Sequence, residues 1–133
     1  MNPPSTLQAT LLVAAGGAGG SVLRYHAGRL VMGIVGPNAV FPWPTFSINV
    51  AGSLLMGLLA GWLARHGTSG EAWRLLLAVG VLGGFTTFSS FSLETAMLVE
   101  RGLIGTATAY AAGSLAAGLA GLFLGLFVMR AAA

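Results

Sequence analysis

The sequence has no cysteine, no lysine and no aspartate among its 133 residues. Without cysteine it can form no disulfide, offers no thiolate nucleophile and lacks the ligands of most zinc sites. Its charged residues are six arginines and three glutamates, 7% of the chain, where a soluble domain carries about 25%. Charges this sparse do not form a nucleic-acid-binding patch, and they are too few to build a polar surface. These absences exclude a soluble domain and predict an all-α integral membrane protein.

Uncharged runs between the charged residues predict four transmembrane helices. Of the whole chain, 56% is hydrophobic, and one helix needs about 20 apolar residues to span a bilayer. The first run has no basic segment before it and continues into further apolar sequence, so we interpret it as a spanning helix rather than a signal peptide. A proline-rich loop at 35–44 and a polar turn at 67–72 are the expected connections. The result is a single domain over residues 1–133, with spans at roughly 7–32, 45–64, 75–100 and 103–129.

Glycines four residues apart recur in every predicted span. Such pairs let helix backbones approach closely in lipid, where no hydrophobic effect drives helices together. We therefore predict that these glycines lie at helix contacts. The pairs are Gly16/Gly20, Gly57/Gly61, Gly80/Gly84 and Gly121/Gly125.

The six arginines divide evenly between the two sides of the membrane. One side has Arg65, Arg74 and Arg130, and the other has Arg24, Arg29 and Arg101. Because an excess of basic residues normally selects the cytoplasmic side, an even division gives no preferred orientation. Oppositely inserted copies could then pair as an antiparallel, dual-topology homodimer; the alternative is a single orientation chosen by weaker features. Four helices are also too few to enclose a pathway easily, which favours an oligomer.

Neutral polar residues recur at helical spacing in three of the spans. Steps of three or four residues place each set on one helix face. Hydrogen bonds between helices and the lining of an ion pathway both explain such rows. The sets are Thr45, Asn49 and Ser53; Thr87, Ser90 and Glu94; and Thr106, Tyr110 and Ser114.

The stretch GGFTTFSSFS, residues 83–92, interrupts the third span. Two glycines followed by two threonines predict a helix broken near its middle, which is tolerated at that depth only where it is buried or lines a cavity. Carbonyls freed by the break suit a hard cation such as Na⁺. The positive edges of the phenylalanine rings suit a small anion, although ordinary packing also explains the rings.

Ionisable groups are scarce within the spans and limit the alternative functions. Glu94 lies toward the end of its span, whereas a proton-coupled exporter of organic cations needs a central carboxylate. His26 and His66 lie beside arginines near expected helix ends, which indicates solvated termini rather than metal ligation. The first helix is expected to continue past Arg24 toward Met32, so that one or both of Arg24 and Arg29 lie near the interface, where their side chains can reach water. An accessory membrane subunit stays open as an alternative, and an enzyme is least favoured because no nucleophile–base pair is apparent.

Four motifs together resemble the Fluc/CrcB family of fluoride channels: GGAGGSVLRY (16–25), TFSINVAG (45–52), GGFTTFSSFSLET (83–95) and YAAGS (110–114). The resemblance implies an antiparallel dual-topology homodimer in the cytoplasmic (inner) membrane. It also implies two fluoride pores, passive export of F⁻ and a structural Na⁺ at the dimer centre.

The resemblance assigns roles to individual residues. Phe88 and Phe91 match the phenylalanines whose ring edges face fluoride. Asn49 matches the pore asparagine. Tyr110 and Ser114 match a polar track on the fourth helix.

Further positions match the cation site and the rest of the pathway. Gly83 and Thr86 match the residues whose backbone carbonyls hold Na⁺. Gly118 departs from the pattern, because some members extend the polar track there with a hydroxyl. Four more positions match polar or charged residues of the motifs: Arg24, Thr45, Ser47 and Glu94.

Overall fold

The computed structural model describes the backbone of residues 3–66 and 70–131 and the side chains of the same residues except that of His66. Within these residues, four helical segments are long and apolar enough to cross a membrane: Thr6–Val35, Trp43–Arg65, Glu71–Glu100 and Ile104–Ala131. The prediction of a four-span all-α membrane protein is therefore confirmed. The expected turn at 67–72 is helical from Glu71 onward, while residues 67–69 and the predicted environment of His66 lie outside what the structure describes.

Five helices make up these four spans, because the third span consists of two helices, one after the other. They are α1 (Thr6–Val35), α2 (Trp43–His66), α3 (71–85, with a π-helical stretch at Arg74–Leu82), α4 (Phe88–Glu100) and α5 (Ile104–Ala131). Helix α1 begins with a capping box, in which the Ser5 hydroxyl accepts from the Gln8 N–H and the Gln8 side chain accepts from the Ser5 N–H. His26 is exposed but lies inside α1, well before its end at Val35, so its expected place near a helix end is wrong.

Helices α1 and α3 form one closely packed pair. Gly16 and Gly20 are buried, and a Cβ atom added to either would collide with the α3 backbone. A Cβ on Gly84 of α3 would come within 2.5 Å of the Gly17 carbonyl oxygen. The predicted role of these glycines in helix contacts is confirmed.

Helices α2 and α5 form the second pair by the same means. A Cβ added to Gly57 would collide with the Leu122 carbonyl, and one added to Gly125 would lie 2.5 Å from the Leu54 carbonyl oxygen. Gly121 is less constrained, since its nearest neighbour would be the Val50 carbonyl oxygen at 3.4 Å. Helix α2 also contacts α1 and α3, so α2 connects the second pair to the first, and α4 packs against α5.

Replacing Gly20 with alanine should destabilise the protein, because the added methyl group would meet the Val81 carbonyl and the Phe85 N–H. Overpacking of this kind costs about 1–3 kcal/mol. Gly19 is the matched control, because an added Cβ there has no atom within 4 Å. Thermal unfolding in detergent should show a lower midpoint for Gly20→Ala than for Gly19→Ala. Equal midpoints would contradict the packing role of Gly20.

Two threonines separate α3 from α4 in the middle of the third span. Thr86 (φ −83°, ψ 159°) and Thr87 (φ −152°, ψ 114°) are both extended. Gly83 and Gly84, which the sequence placed in the unwound segment, are instead helical. The difference has a physical cause: Gly84 is needed in the contact with α1, whereas the β-branched threonines favour extended backbone and Thr87 is a good N-cap for α4.

Candidate functional site

A cavity of about 360 Å³ lies beside the two extended threonines, between α2, α4 and α5. Among the described residues that line it, none is charged. Apolar side chains such as Met56 and Leu115 form much of the wall. The side chains that can hold an ion are neutral: Asn49, Ser53, Ser114, Phe88 and Phe91.

Two phenylalanine rings form one wall of this cavity. Phe88 and Phe91 are three residues apart in α4, and their ring centroids are separated by 5.7 Å with an interplanar angle of 37°. The Phe88 side chain is 79% exposed, so this chain alone does not close the cavity on that side. Their hydrogen-bearing edges carry partial positive charge and can attract an anion without a fixed cation.

Ser114 on α5 presents an unpaired hydroxyl at the cavity. Its Oγ is buried, and no group in the described part of the chain forms a hydrogen bond with it. A buried polar atom without a partner is costly, and native proteins rarely leave one unsatisfied. Because Ser114 lines the cavity, a water molecule or an ion within the cavity would supply the missing partner.

Asn49 of α2 pairs with the backbone of Thr87. Its Oδ1 accepts from the Thr87 N–H at 2.9 Å, and its Nδ2 donates to the Thr87 carbonyl at 3.1 Å. The Thr87 hydroxyl in turn accepts from the Ser90 N–H at 3.2 Å and caps α4. The broken backbone thus finds hydrogen-bond partners within one chain, as a lipid environment requires.

Thr45, Glu94 and Tyr110 form a second polar cluster, next to the cavity but outside its lining. The Thr45 hydroxyl donates to one Glu94 carboxylate oxygen at 2.7 Å, and the Tyr110 hydroxyl donates to the other at 2.6 Å. Thr45 and Tyr110 are buried. Phe91 links the cluster to the cavity, because its ring centroid lies 5.1 Å from that of Tyr110. Glu94 therefore holds two hydroxyls in place and does not itself face the cavity.

Arg24 reaches the middle of the third span. Its Nη1 donates to the Thr86 carbonyl oxygen at 3.4 Å. As expected, α1 continues well beyond Arg24, and it ends at Val35. The guanidinium of Arg24 partners a carbonyl that the helix break leaves available, so Arg29 is the arginine nearer the end of α1. Ser47 is partly buried on α2 and does not line the cavity.

Three contributors to the site received no role from the sequence. Ser53 belongs to a predicted polar row, and Thr87 belongs both to such a row and to the predicted helix break, but neither residue was assigned a part in the site. Gly52 is buried beside the break, where an added Cβ would collide with the Thr86 methyl group. Its position three residues after Asn49, on the same face of α2, is the feature that could have identified it.

Comparison with known proteins gives consistent results. Residues 11–126 match the model of the family described as CrcB-like protein, Camphor Resistance (CrcB). A relative in Novosphingobium aromaticivorans is 69% identical over 127 residues, which cover 96% of this chain and 100% of the relative. Relatives in Caulobacter vibrioides (56% identity; 90% of this chain and 94% of the relative) and Erythrobacter litoralis (50%; 96% and 95%) are similar throughout. All three are named fluoride-specific ion channel FluC, so the prediction of a non-enzyme is confirmed.

Proposed function

The chain belongs to the CrcB family, and we propose that it is a fluoride-selective channel. In this proposal F⁻ crosses the cytoplasmic membrane passively, down its electrochemical gradient. Fluoride enters cells from acidic surroundings as neutral HF and dissociates inside, so the passive direction is outward. The names of the relatives support fluoride as the ion.

The observation that carries the proposal is the neutral, donor-rich lining of the cavity. A small anion entering a membrane must exchange its water for other donors. Asn49 and Ser114 offer hydrogen-bond donors, and the Phe88 and Phe91 rings offer their edges. Because no fixed cation lines the described cavity, an anion is attracted weakly enough to leave again. In this proposal the path is narrow and dry where the anion is held, so larger halides would fit poorly.

The same geometry weakens the alternative of a proton-coupled cation exporter. Such a protein needs a carboxylate on its pathway, whereas both Glu94 oxygens accept hydrogen bonds from Thr45 and Tyr110, away from the cavity lining.

We propose further that the working channel is an antiparallel homodimer. The largely exposed Phe88 ring leaves its cavity open on one side, and a second copy would close it. The even division of arginines between the two sides supports opposite orientations. Two copies would contain two such cavities, which agrees with the two pores expected from the family resemblance.

A structural Na⁺ at the dimer centre is the last part of the proposal. Thr87 donates its N–H to Asn49, so the Gly83 carbonyl does not receive the hydrogen bond that a continuous helix would give it. Among the described residues, the one side-chain partner of the Thr86 carbonyl is Arg24, at the long distance of 3.4 Å. Carbonyl oxygens are ligands suited to a hard cation, and two chains together would supply the oxygens that one chain lacks. The charge of the cation would be balanced by fluoride ions nearby.

Fluoride release from liposomes that contain the purified protein tests the proposed function. A fluoride electrode should record fast release when a potassium ionophore balances the charge, and very slow release without it. Chloride-loaded vesicles should release far less. Absence of fluoride release from correctly assembled protein would contradict the channel, and release that needs no ionophore would indicate an electroneutral exchanger.

Ser53 is expected to supply the hydroxyl that Gly118 lacks in the polar track. A Cβ added to Gly118 would lie 3.5 Å from the Ser53 Oγ, so serine at either position places a hydroxyl in the same region. Ser53→Ala should lower fluoride release about two- to tenfold, the effect of one hydrogen bond. Gly118→Ser should restore release in the Ser53→Ala protein. Unchanged release from Ser53→Ala would place Ser53 outside the pathway.

A further inference from the structure

We propose that the Thr87 peptide group orients the side-chain amide of Asn49, so that one N–H of the amide stays aimed at the anion. This inference rests on the proposed function and adds a positioning group to it. The Thr87 backbone would act on fluoride only through Asn49, and it would help to select anions over cations.

The geometry of the pair carries the inference. Both polar atoms of the Asn49 amide bond to one residue: Oδ1 accepts at 2.9 Å and Nδ2 donates at 3.1 Å. Two hydrogen bonds fix the plane of the amide and its direction. The nitrogen carries two hydrogens, and Thr87 takes one. The second points away from Thr87, and Asn49 lines the cavity.

The pairing matters because an unpaired asparagine can turn its amide over. Turned by 180°, Asn49 would present its oxygen where the nitrogen had been, and the cavity would gain a cation ligand in place of an anion donor. Rotation of the amide by 180° would place Oδ1 against the Thr87 carbonyl oxygen and Nδ2 against the Thr87 N–H. Two attractive contacts would become two repulsive ones, and the donor therefore remains in place.

The pairing also depends on the helix break. In a continuous helix the Thr87 N–H would bond to the Gly83 carbonyl and would be unavailable to Asn49. The extended backbone of Thr87 exposes both its N–H and its carbonyl to α2. The same residue is the N-cap of α4, directly before Phe88. Thr87 therefore fixes the direction of the Asn49 amide donor and also the start of the helix that carries the Phe88 ring.

An amide-to-ester replacement at Thr87 tests the inference without changing any side chain. The α-hydroxy analogue of threonine removes the N–H that donates to Asn49 Oδ1. It also weakens the Thr86 carbonyl as an acceptor, so the release assay is joined below by a measurement on the Asn49 amide itself. The same analogue at Thr108, on the exposed face of α5, is the matched control. Fluoride release should fall about tenfold for the ester at 87 and should stay within about twofold for the ester at 108.

A second measurement reports on the amide itself. The chain has three asparagines, at 2, 38 and 49, so ¹⁵N-asparagine labelling gives three side-chain signal pairs, and Asn49→Gln identifies the pair that belongs to Asn49. Addition of fluoride should strongly change the NMR chemical shift of one of the two Asn49 side-chain amide protons in the unaltered protein. In the ester at 87 that selective shift should be lost.

The outcomes separate the two proposals. Normal release and an unchanged selective shift in the ester at 87 would overturn the positioning role and leave the channel intact. An equal loss of release in the ester at 108 would also overturn it, because the effect would then be general weakening of a helix. Absence of fluoride release from the unaltered protein would instead overturn the proposed function.

Discussion

Replacing Phe88 with isoleucine is expected to remove most fluoride release while the protein still assembles. Isoleucine keeps an apolar side chain of considerable size but has no ring edge, and the edge is the part of phenylalanine that carries positive charge. Phe88 is 79% exposed within one chain, so the change disturbs little packing inside the protomer. Initial rates in the liposome assay should fall more than about tenfold, the effect of losing about 1.4 kcal/mol of ion stabilisation.

A matched substitution separates the ring-edge effect from general damage. Phe127 on α5 is also largely exposed and does not line the cavity, so Phe127→Ile should retain release. Size-exclusion chromatography should give the same elution volume for both variants. Normal release from Phe88→Ile would remove the ring-edge mechanism. Loss of release with intact assembly would in turn exclude an accessory subunit.

The parts of this protein that follow from the sequence are those governed by local spacing. Charge positions delimit the four spans because charged groups are costly within lipid. The glycine pairs identify the helix contacts, since the four-residue repeat places both glycines on one face. The rows beginning at Thr45 and Thr106 also lie on single faces for this reason.

The parts that do not follow from the sequence depend on which faces meet. Asn49 pairs with a backbone 38 residues away, and nothing in the spacing of either segment selects that partner. Thr45 and Tyr110 both bond to Glu94, although helical rows alone predict only that each lies on a polar face. These contacts arise from the crossing of α2, α4 and α5.

Arg24 and the glycines at 83–84 show how tertiary packing decides what local spacing does not. Spacing alone leaves open whether Arg24 or Arg29 lies near the membrane interface, and Arg24 donates to a carbonyl exposed by a break in a neighbouring helix. Paired glycines indicate an unwound segment, yet Gly84 stays helical where it packs against α1. In both cases the deciding partner belongs to another helix.

Two lysines added between α2 and α3, as Thr68→Lys with Ser69→Lys, are expected to abolish most fluoride release from a chain expressed alone. The connection lies on the side that holds Arg65, Arg74 and Arg130, so the change raises that side to five basic residues against three. Because basic residues near span ends select the cytoplasmic side, nearly all copies would insert in one direction. An antiparallel dimer could then no longer form.

Co-expression with an oppositely biased chain provides the decisive arm of this experiment. Asn38→Lys with Ala39→Lys places the two lysines in the connection between α1 and α2, on the other side of the membrane. Each biased chain alone should be nearly inactive, and the two together should recover most of the release. Thr68→Gln with Ser69→Gln, which adds no charge, should behave as the unaltered protein does. Full release from either lysine chain alone would rule out antiparallel pairing, because copies of a single orientation would then suffice to form the pathway.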